Sequence, residues 1–406
     1  MVASRTLVIA GAGIGGLTAA LALAKRGFRV VVLDQAERLE ETGAGIQLSP
    51  NATRILIDLG AGERLRVSAV APSCVRVLRG ETGKEIVRLP LSDMEARYGA
   101  PYWTVHRGDL QAALIATAQE HPDISLELGA RVETFASHPN GVTVKAMRGQ
   151  FAVDAQGVAL IGADGIWSTV RNGLEESSPP KFANRVAYRA LVPADMAPPS
   201  MREYEVTLWL GRKGHIAHYP VQSGRTINVV AIAADTWTDT GWSTDAHPNE
   251  VMERFPMGVW SRHVRDLLGI PERWLKWALA ERKSPKHWSR DQIAILGDAA
   301  HPMLPFLAQG AAMAIEDAAV LAKRLSENPE NLPQAMQVYE ADRRPRTTKV
   351  QRAARSNGKI YQYAGPDAAA RDFVMRIMGG SRIRNRYDWL YNWRVDPSEA
   401  TPGAER

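Results

Sequence analysis

Residues 5–34, RTLVIAGAGIGGLTAALALAKRGFRVVVLD, constrain this chain more than any other stretch. RTLVIA is an unbroken apolar run of strand length, GLTAALALAKRG is an Ala/Leu helix that stops at Gly27, and FRVVVLD is a second strand. The spacing predicts a βαβ unit. Between its first strand and its helix stands GAGIGG, which contains Gly11, Gly13, Ile14, Gly15 and Gly16. Gly11 permits the tight turn, Gly13 lets a pyrophosphate approach the backbone, and Gly16 allows close helix–strand contact. A phosphate here meets unpaired N–H groups and the positive end of the helix. Asp34 ends the second strand, 18 residues after Gly16, where a carboxylate accepts hydrogen bonds from an adenosine ribose. FAD and NAD(P) both use this fingerprint, so it implies a dinucleotide without choosing between them.

A second stretch bears on that choice. ILGDAAHPMLPFLAQGAAMAIEDAAVL (295–321) begins as a buried strand ending at Gly297–Asp298. It passes through Pro302 and Pro305 with hardly a charge and becomes an Ala-rich helix after Gln309–Gly310. A carboxylate at the strand end suits the hydroxyls of a ribityl chain. A helix start near Gly310 suits the flavin N1–C2=O region, which becomes anionic on reduction. A nicotinamide cofactor has neither feature. Taken alone, the stretch also reads as a strand-end aspartate and a plain helix cap.

The chain has 406 residues, enough for two or three domains. Its net charge of +6 is spread along the sequence with no basic run, so nothing marks it for nucleic acid. A single cysteine, Cys74, excludes an internal disulfide and points to a reducing compartment. No run of about 18 apolar residues argues for a membrane span. The apolar run in MVASRTLVIAGAGIGG is short and passes straight into glycines, as a first strand does and a signal peptide does not. These features predict a soluble cytoplasmic protein.

SPNATRILIDLG (49–60) reads as a helix capped by Ser49 or Asn51, 73–91 as a β-hairpin turning at Glu81–Lys84, 107–121 as a helix and 125–161 as strands. From about 180 to 235, EVTLWLG, GHIAHYPV and TINVVAIAA predict an antiparallel sheet distinct from the parallel one. Residues 244–280 read as Trp-rich helix, 290–296 as a buried strand and 309–326 as a helix. From about 333 the chain reads as Arg-rich helix, up to a short polar tail after Val395. The predicted fold class is α/β. A Rossmann-like nucleotide-binding domain (1–72, 101–178 and 286–345) carries an inserted antiparallel-sheet substrate domain (73–100 and 179–285), and a helical C-terminal segment (346–406) follows.

With GADGIWSTVR (162–171) added, three motifs stand in a fixed order, and in that order the chain resembles the single-component FAD-dependent aromatic hydroxylases over most of residues 5–345. GAGIQLSPNA, HRGDL, GHIAHYPV and YDWLYNW are most similar to the salicylate, 3-hydroxybenzoate and 6-hydroxynicotinate branch. The resemblance implies a 4-hydroxybenzoate-hydroxylase-like fold with FAD as cofactor. It also implies NADH or NADPH as a cosubstrate bound without a second Rossmann fold, O₂, a small hydroxylated aromatic acid and hydroxylation through a flavin C4a-hydroperoxide. A homodimer is compatible with it. By residue, Gly11, Gly13, Gly16 and Asp34 hold the ADP half of FAD, and Arg107 reaches its phosphate or ribityl region. Asp164 supports FAD and the transient nicotinamide, Asp298 the ribityl chain, and the Gly310–Ala311 backbone the flavin pyrimidine edge. Gln47 lines the pocket near the flavin.

Such chemistry makes two demands. Water must be excluded from the reacting flavin, and Met303, Leu304, Pro305, Phe306 and Leu307 are apolar and stiff enough to do so. The substrate phenol must also be deprotonated, because a phenolate is the better nucleophile. If GHIAHYPV is a strand, His215, Ala217 and Tyr219 share one face while Ile216 and His218 share the other. The resemblance favours His215 and Tyr219 as the pair that binds and deprotonates the phenol; a histidine on a solvated sheet face is the alternative. Gln309 suits either a substrate hydrogen bond or helix capping. Arg189 suits a substrate carboxylate, or more simply a surface ion pair, while His301 and His106 suit structural turns. The tryptophans between 237 and 288 lack a basic groove and read as packing. No Cys/His spacing marks a metal site. Rival readings are a decarboxylating 6-hydroxynicotinate-type enzyme and a flavoprotein that does not hydroxylate.

Overall fold

Strand Thr6–Ala10 lies between Ala159–Gly162 and Arg29–Asp34 and runs parallel to both. The structure, a computed structural model, describes residues 5–38, 44–175 and 178–396. The polar tail from 397 onward, residues 1–4 ahead of the first strand and Gly43 of GAGIQLSPNA lie outside the described residues. Ile293–Ile295 and Ile124–Leu128 extend the parallel sheet, and Ser289–Arg290 adds an antiparallel edge. Leu7, Val8 and Ile9 are wholly buried, as expected of an unbroken apolar strand covered on both faces.

Helix Ile14–Ala24 packs against helix Gly310–Glu327 through small residues. A Cβ on Gly15 would lie 2.8 Å from Leu296 Cδ1 and 3.2 Å from the Ala314 Cβ, so glycine is what lets the two helix starts lie side by side. One residue on, a Cβ at Gly16 would sit 1.9 Å from the Gly11 carbonyl oxygen, which closes the glycine turn to any larger residue.

A second, eight-stranded sheet runs in the order Ser243–Ala246, Trp274–Glu281, Lys181–Pro193, Thr226–Ala234, Gly214–Val221, Val206–Gly211, Cys74–Arg79 and Glu85–Pro90. All its neighbours are antiparallel except Val206–Gly211 and Cys74–Arg79. Val206–Gly211 and Gly214–Val221 form a hairpin in which Gly211 pairs with Gly214, so only Arg212 and Lys213 form the loop. Lys213 accepts a φ of 60° to make it.

The region expected to be helical over 244–280 is mixed. Helices Pro248–Arg254 and Arg262–Leu268 are present, but Ser243–Ala246 and Trp274–Glu281 are strands. WLKWALAE has helix-forming residues, yet it pairs along Lys181–Pro193 with Trp274 fully buried, and tertiary pairing overrides local propensity. The expected 290–296 strand is two short pieces that reverse at Asp291, with φ 52°.

Strand Gly45–Leu48 pairs with Trp103–His106 and leans on the eight-stranded sheet, where Gly45 N donates to Asn228 Oδ1 at 2.6 Å. Helix Leu332–Ile360 packs along Gly310–Glu327. Helix Gly365–Asn385 is interrupted at Gly379 and crosses Glu85–Pro90, where a Cβ on Gly380 would meet the Arg88 carbonyl at 1.8 Å. No helix among the described residues is long and apolar enough to cross a membrane.

Candidate active site

A cavity of about 340 Å³ lies where these parts meet. The glycine turn supplies Gly13, Ile14 and Gly15, and the 297–314 stretch supplies Asp298, Met303, Pro305, Gly310 and Ala311. Gln47 and Arg107 close one side, and the eight-stranded sheet forms the floor.

Three lateral rows make that floor. His215 pairs with Ile232, Ala217 with Val230, and Tyr219 with Asn228; one strand further, Val230 pairs with Arg189. Strand alternation therefore turns His215, Ala217 and Tyr219 into the cavity, with Arg189 on the middle row. His215 is 4% exposed, and its ring meets Phe306 and Tyr361 edge-on at 5.5 Å and 5.3 Å. Nδ1 of His215 has no hydrogen-bond partner among the described residues. Burial, with Arg185 nearby, lowers its pKa to about 3, so the ring is neutral. Burial pushes the Tyr219 hydroxyl up to about 12, against lowering by Arg189 and by a hydrogen bond with Gln47.

On the opposite side the residues fit a flavin dinucleotide. Gly11 has φ 103°, and a Cβ there would lie 2.5 Å from the Ala163 carbonyl oxygen, so the turn requires glycine. A Cβ on Gly13 would meet nothing within 4 Å, which leaves open space where a diphosphate passes the backbone. Asp34 Oδ2 accepts from Ala12 N at 2.6 Å and Oδ1 from Ala36 N at 2.8 Å, so its carboxylate also ties the glycine turn to the second strand. Asp298 is in the cavity wall, and burial raises its pKa against the pull of His301 and Arg107. Ala308 takes φ 52°, ending the Pro305–Leu307 turn so that helix Gly310–Glu327 starts facing the cavity.

Not every expected residue faces in. Gln309 is 4% exposed and turned away from the cavity: Nε2 donates to Ser49 Oγ at 2.9 Å and Oε1 accepts from Asn51 Nδ2 at 3.2 Å. Both ends of its amide are spent on Ser49 and Asn51 at the start of helix Pro50–Asp58. Gln309 is the N-cap residue of its own helix, but its side chain makes no capping bond there. Asp164 lies between two cavity residues, Ala163 and Gly165, but accepts from Ser168 Oγ and, at 3.1 Å, from Val170 N, organising the turn into helix Thr169–Leu174. His301 pairs with Asp317 and packs against Trp288 at a tilt, with ring centroids 5.1 Å apart, a structural role. Arg189, for which a surface ion pair was the simpler expectation, belongs to the cavity wall. Trp260, Trp274 and Trp288 are buried packing residues, whereas Trp242 meets the half-exposed Trp167 at a tilt, with ring centroids 5.1 Å apart.

His218, on the reverse face of the same strand, is also buried beside Trp209, and burial with Arg76 nearby lowers its pKa to about 3. An unfolded histidine titrates near 6.5. Between that value and about 3 the unfolded chain holds protons that the fold releases. Stability therefore falls as pH drops through this window, by up to about 1.4 kcal/mol per pH unit for each histidine. Urea midpoints measured from pH 7 to 5 should decline, and His218→Gln should remove about half of the slope. An unchanged slope in that variant would exclude His218 as a contributor.

Residues 4–354 match the family described as FAD binding domain. The chain is 35% identical over 390 residues to 3-hydroxybenzoate 6-hydroxylase of Polaromonas naphthalenivorans (strain CJ2), covering 96% of each. It is 34% identical over 402 residues to 3-amino-4-hydroxybenzoate 2-monooxygenase of Streptomyces cremeus, covering 98% of each. Among solved structures, a salicylate hydroxylase substrate complex superposes with a TM-score of 0.80 at 25% identity, covering 97% of this chain and 96% of that one. With the glycine turn, the Asp298 wall and the facing helix start as described, the chain belongs to the FAD-dependent aromatic hydroxylases, in the branch of salicylate hydroxylase and 3-hydroxybenzoate 6-hydroxylase.

Proposed function

We propose that this protein is an NAD(P)H- and O₂-dependent monooxygenase that hydroxylates a hydroxylated monoaromatic acid of the 3-hydroxybenzoate or salicylate type. The observation that carries this reading is the neutral His215 and the Tyr219 hydroxyl on one strand face, opposite the glycine turn and the Gly310 helix start across a single cavity. Bound FAD supplies the activation of O₂ with electrons from the nicotinamide. The protein's part is to hold the ring, take up its proton and keep water away.

His215 and Tyr219 would grip the ring hydroxyl, and Arg189 on the neighbouring row would attract the carboxylate. Burial penalises an isolated imidazolium, but a phenolate formed beside it supplies the missing counter-charge. Proton uptake by His215 is thus coupled to ionisation of the substrate, and His215 stays neutral in the empty site. Met303, Pro305 and the buried Phe306 would shield the reacting face from water.

The test is NAD(P)H oxidation by the FAD holoenzyme with 3-hydroxybenzoate, salicylate, 6-hydroxynicotinate or no acid, with product and H₂O₂ quantified. At least one acid should accelerate oxidation and yield hydroxylated product in preference to H₂O₂. If no acid accelerates it, a flavoprotein that does not hydroxylate is the better description. Loss of CO₂ with 6-hydroxynicotinate or salicylate would mark the decarboxylating variant.

A further inference from the structure

We propose that the reverse face of the eight-stranded sheet carries a second binding site, for a small aromatic hydroxy acid, behind the strand that floors the active cavity. Its recognition chemistry is its own and does not depend on the proposed reaction.

A cavity of about 240 Å³ lies on that face. Arg76 pairs with Thr207 and Thr207 with His218, so three adjacent strands set these side chains on one lateral row. Two residues along, Leu78 pairs with Trp209 on the same face. All five line the cavity, and Met201 of the turn Pro199–Met201 adds to its apolar wall.

His218 is 2% exposed and Trp209 4%. Among the described residues, neither ring nitrogen of His218 nor Nε1 of Trp209 has a hydrogen-bond partner. Buried polar groups are ordinarily paired, because an unmade bond in the interior is not offset by water. Three such atoms on residues around one cavity point to an occupant that pairs them.

The donors define that occupant. Trp209 Nε1 and the Arg76 guanidinium only donate. Nε of Arg76 bonds Glu85 at 2.8 Å, while Nη2 makes no hydrogen bond among the described residues. Glu205 lies 3.9 Å from Arg76, but Arg88 pairs with both glutamates, so they do not claim Arg76 alone. Burial with Arg76 nearby keeps His218 neutral, which leaves it one N–H and one accepting nitrogen. The occupant therefore brings acceptor oxygens for several donors and one hydroxyl for the imidazole. A carboxylate and a hydroxyl on one ring supply both, and the ring itself matches the indole, Leu78 and Met201. An inorganic anion would leave that apolar wall uncovered. The site backs directly onto the active cavity, since His218 stands between Ala217 and Tyr219, which face the other way.

The test titrates salicylate into the FAD holoenzyme by calorimetry, which reports every bound equivalent. Flavin absorbance, followed in parallel, reports the active cavity. Wild type should bind a flavin-silent equivalent with a Kd of about 1 mM or tighter. His218→Phe and Arg76→Gln should each weaken it by at least about 10-fold, with FAD content and any flavin-reported Kd unchanged. No flavin-silent equivalent up to roughly 10 mM means that the cavity holds water only, and overturns the site. A flavin-silent equivalent that both variants bind as wild type does overturns it too. A flavin-silent equivalent without a flavin-reported one supports the second site and counts against salicylate as a ligand of the active cavity, so the two readings fail separately.

Discussion

Replacing His215 by asparagine is expected to lower coupled hydroxylation by about 10²–10⁴-fold while FAD stays bound. The ring is buried, neutral and, among the described residues, without a partner on Nδ1, so its proton-accepting capacity is not spent on the fold. It is separated from the glycine turn and the Gly310 helix start by the cavity itself, so removing it touches none of the groups that fit the cofactor. Asparagine keeps polarity at the position but has no basic nitrogen. The loss should appear as less hydroxylated product per NAD(P)H and more H₂O₂, with a smaller defect above the pKa of the free phenol, where the substrate arrives already ionised. Unchanged product yield would remove His215 from the mechanism.

The second large effect concerns stability. Arg343→Met should cost about 3–5 kcal/mol, a fall in Tm of roughly 4–6 °C for a chain of 406 residues. Arg343 is 1% exposed and pairs at 2.7 Å with both Glu316 and Asp317, neither of which has any exposed side chain. Asn51 Nδ2 and Arg346 also bind Glu316, and Asp317 accepts from Gly297 N at 3.0 Å and pairs with His301. Burial pushes the Asp317 carboxyl up, but His301 and Arg343 more than offset this and hold it at about 2. Removing Arg343 leaves two buried carboxylates to share the remaining partners, and loosens the Gly297–Asp298 turn in the cavity wall. Arg343→Lys, which keeps one positive charge but not the fork, should fall between. A Tm within about 2 °C of wild type in Arg343→Met would contradict this account.

How much of this was legible in the sequence depends on where each residue's partners lie. The glycine turn was legible because its requirements are local: Gly11 needs a positive φ and Gly16 touches Gly11. His215 and Tyr219 were legible as a face because strand alternation needs only one strand. Gln309 was ambiguous because it sits beside the helix start, while the groups that occupy it, Ser49 and Asn51, come from about 260 residues away. Tyr102 gave no signal, since the group its hydroxyl donates to, Gln47 Oε1 in the cavity wall, lies 55 residues earlier. Arg189 suited a surface ion pair as readily as a substrate carboxylate until the pairing of Val230 with both Arg189 and Ala217 put it on the cavity floor. Trp274–Glu281 was misread because its helical composition yields to a partner strand about 90 residues upstream.

The Arg212–Lys213 loop allows no slack between its two strands. In most surface loops an added or lost residue is absorbed by the chain between. Here a single-residue insertion or deletion would slide Gly214–Val221 by one step, carrying His218 into the cavity and the His215–Tyr219 pair out toward Trp209. Length variation among descendants of this gene should therefore avoid this hairpin, even though its tip is exposed to solvent.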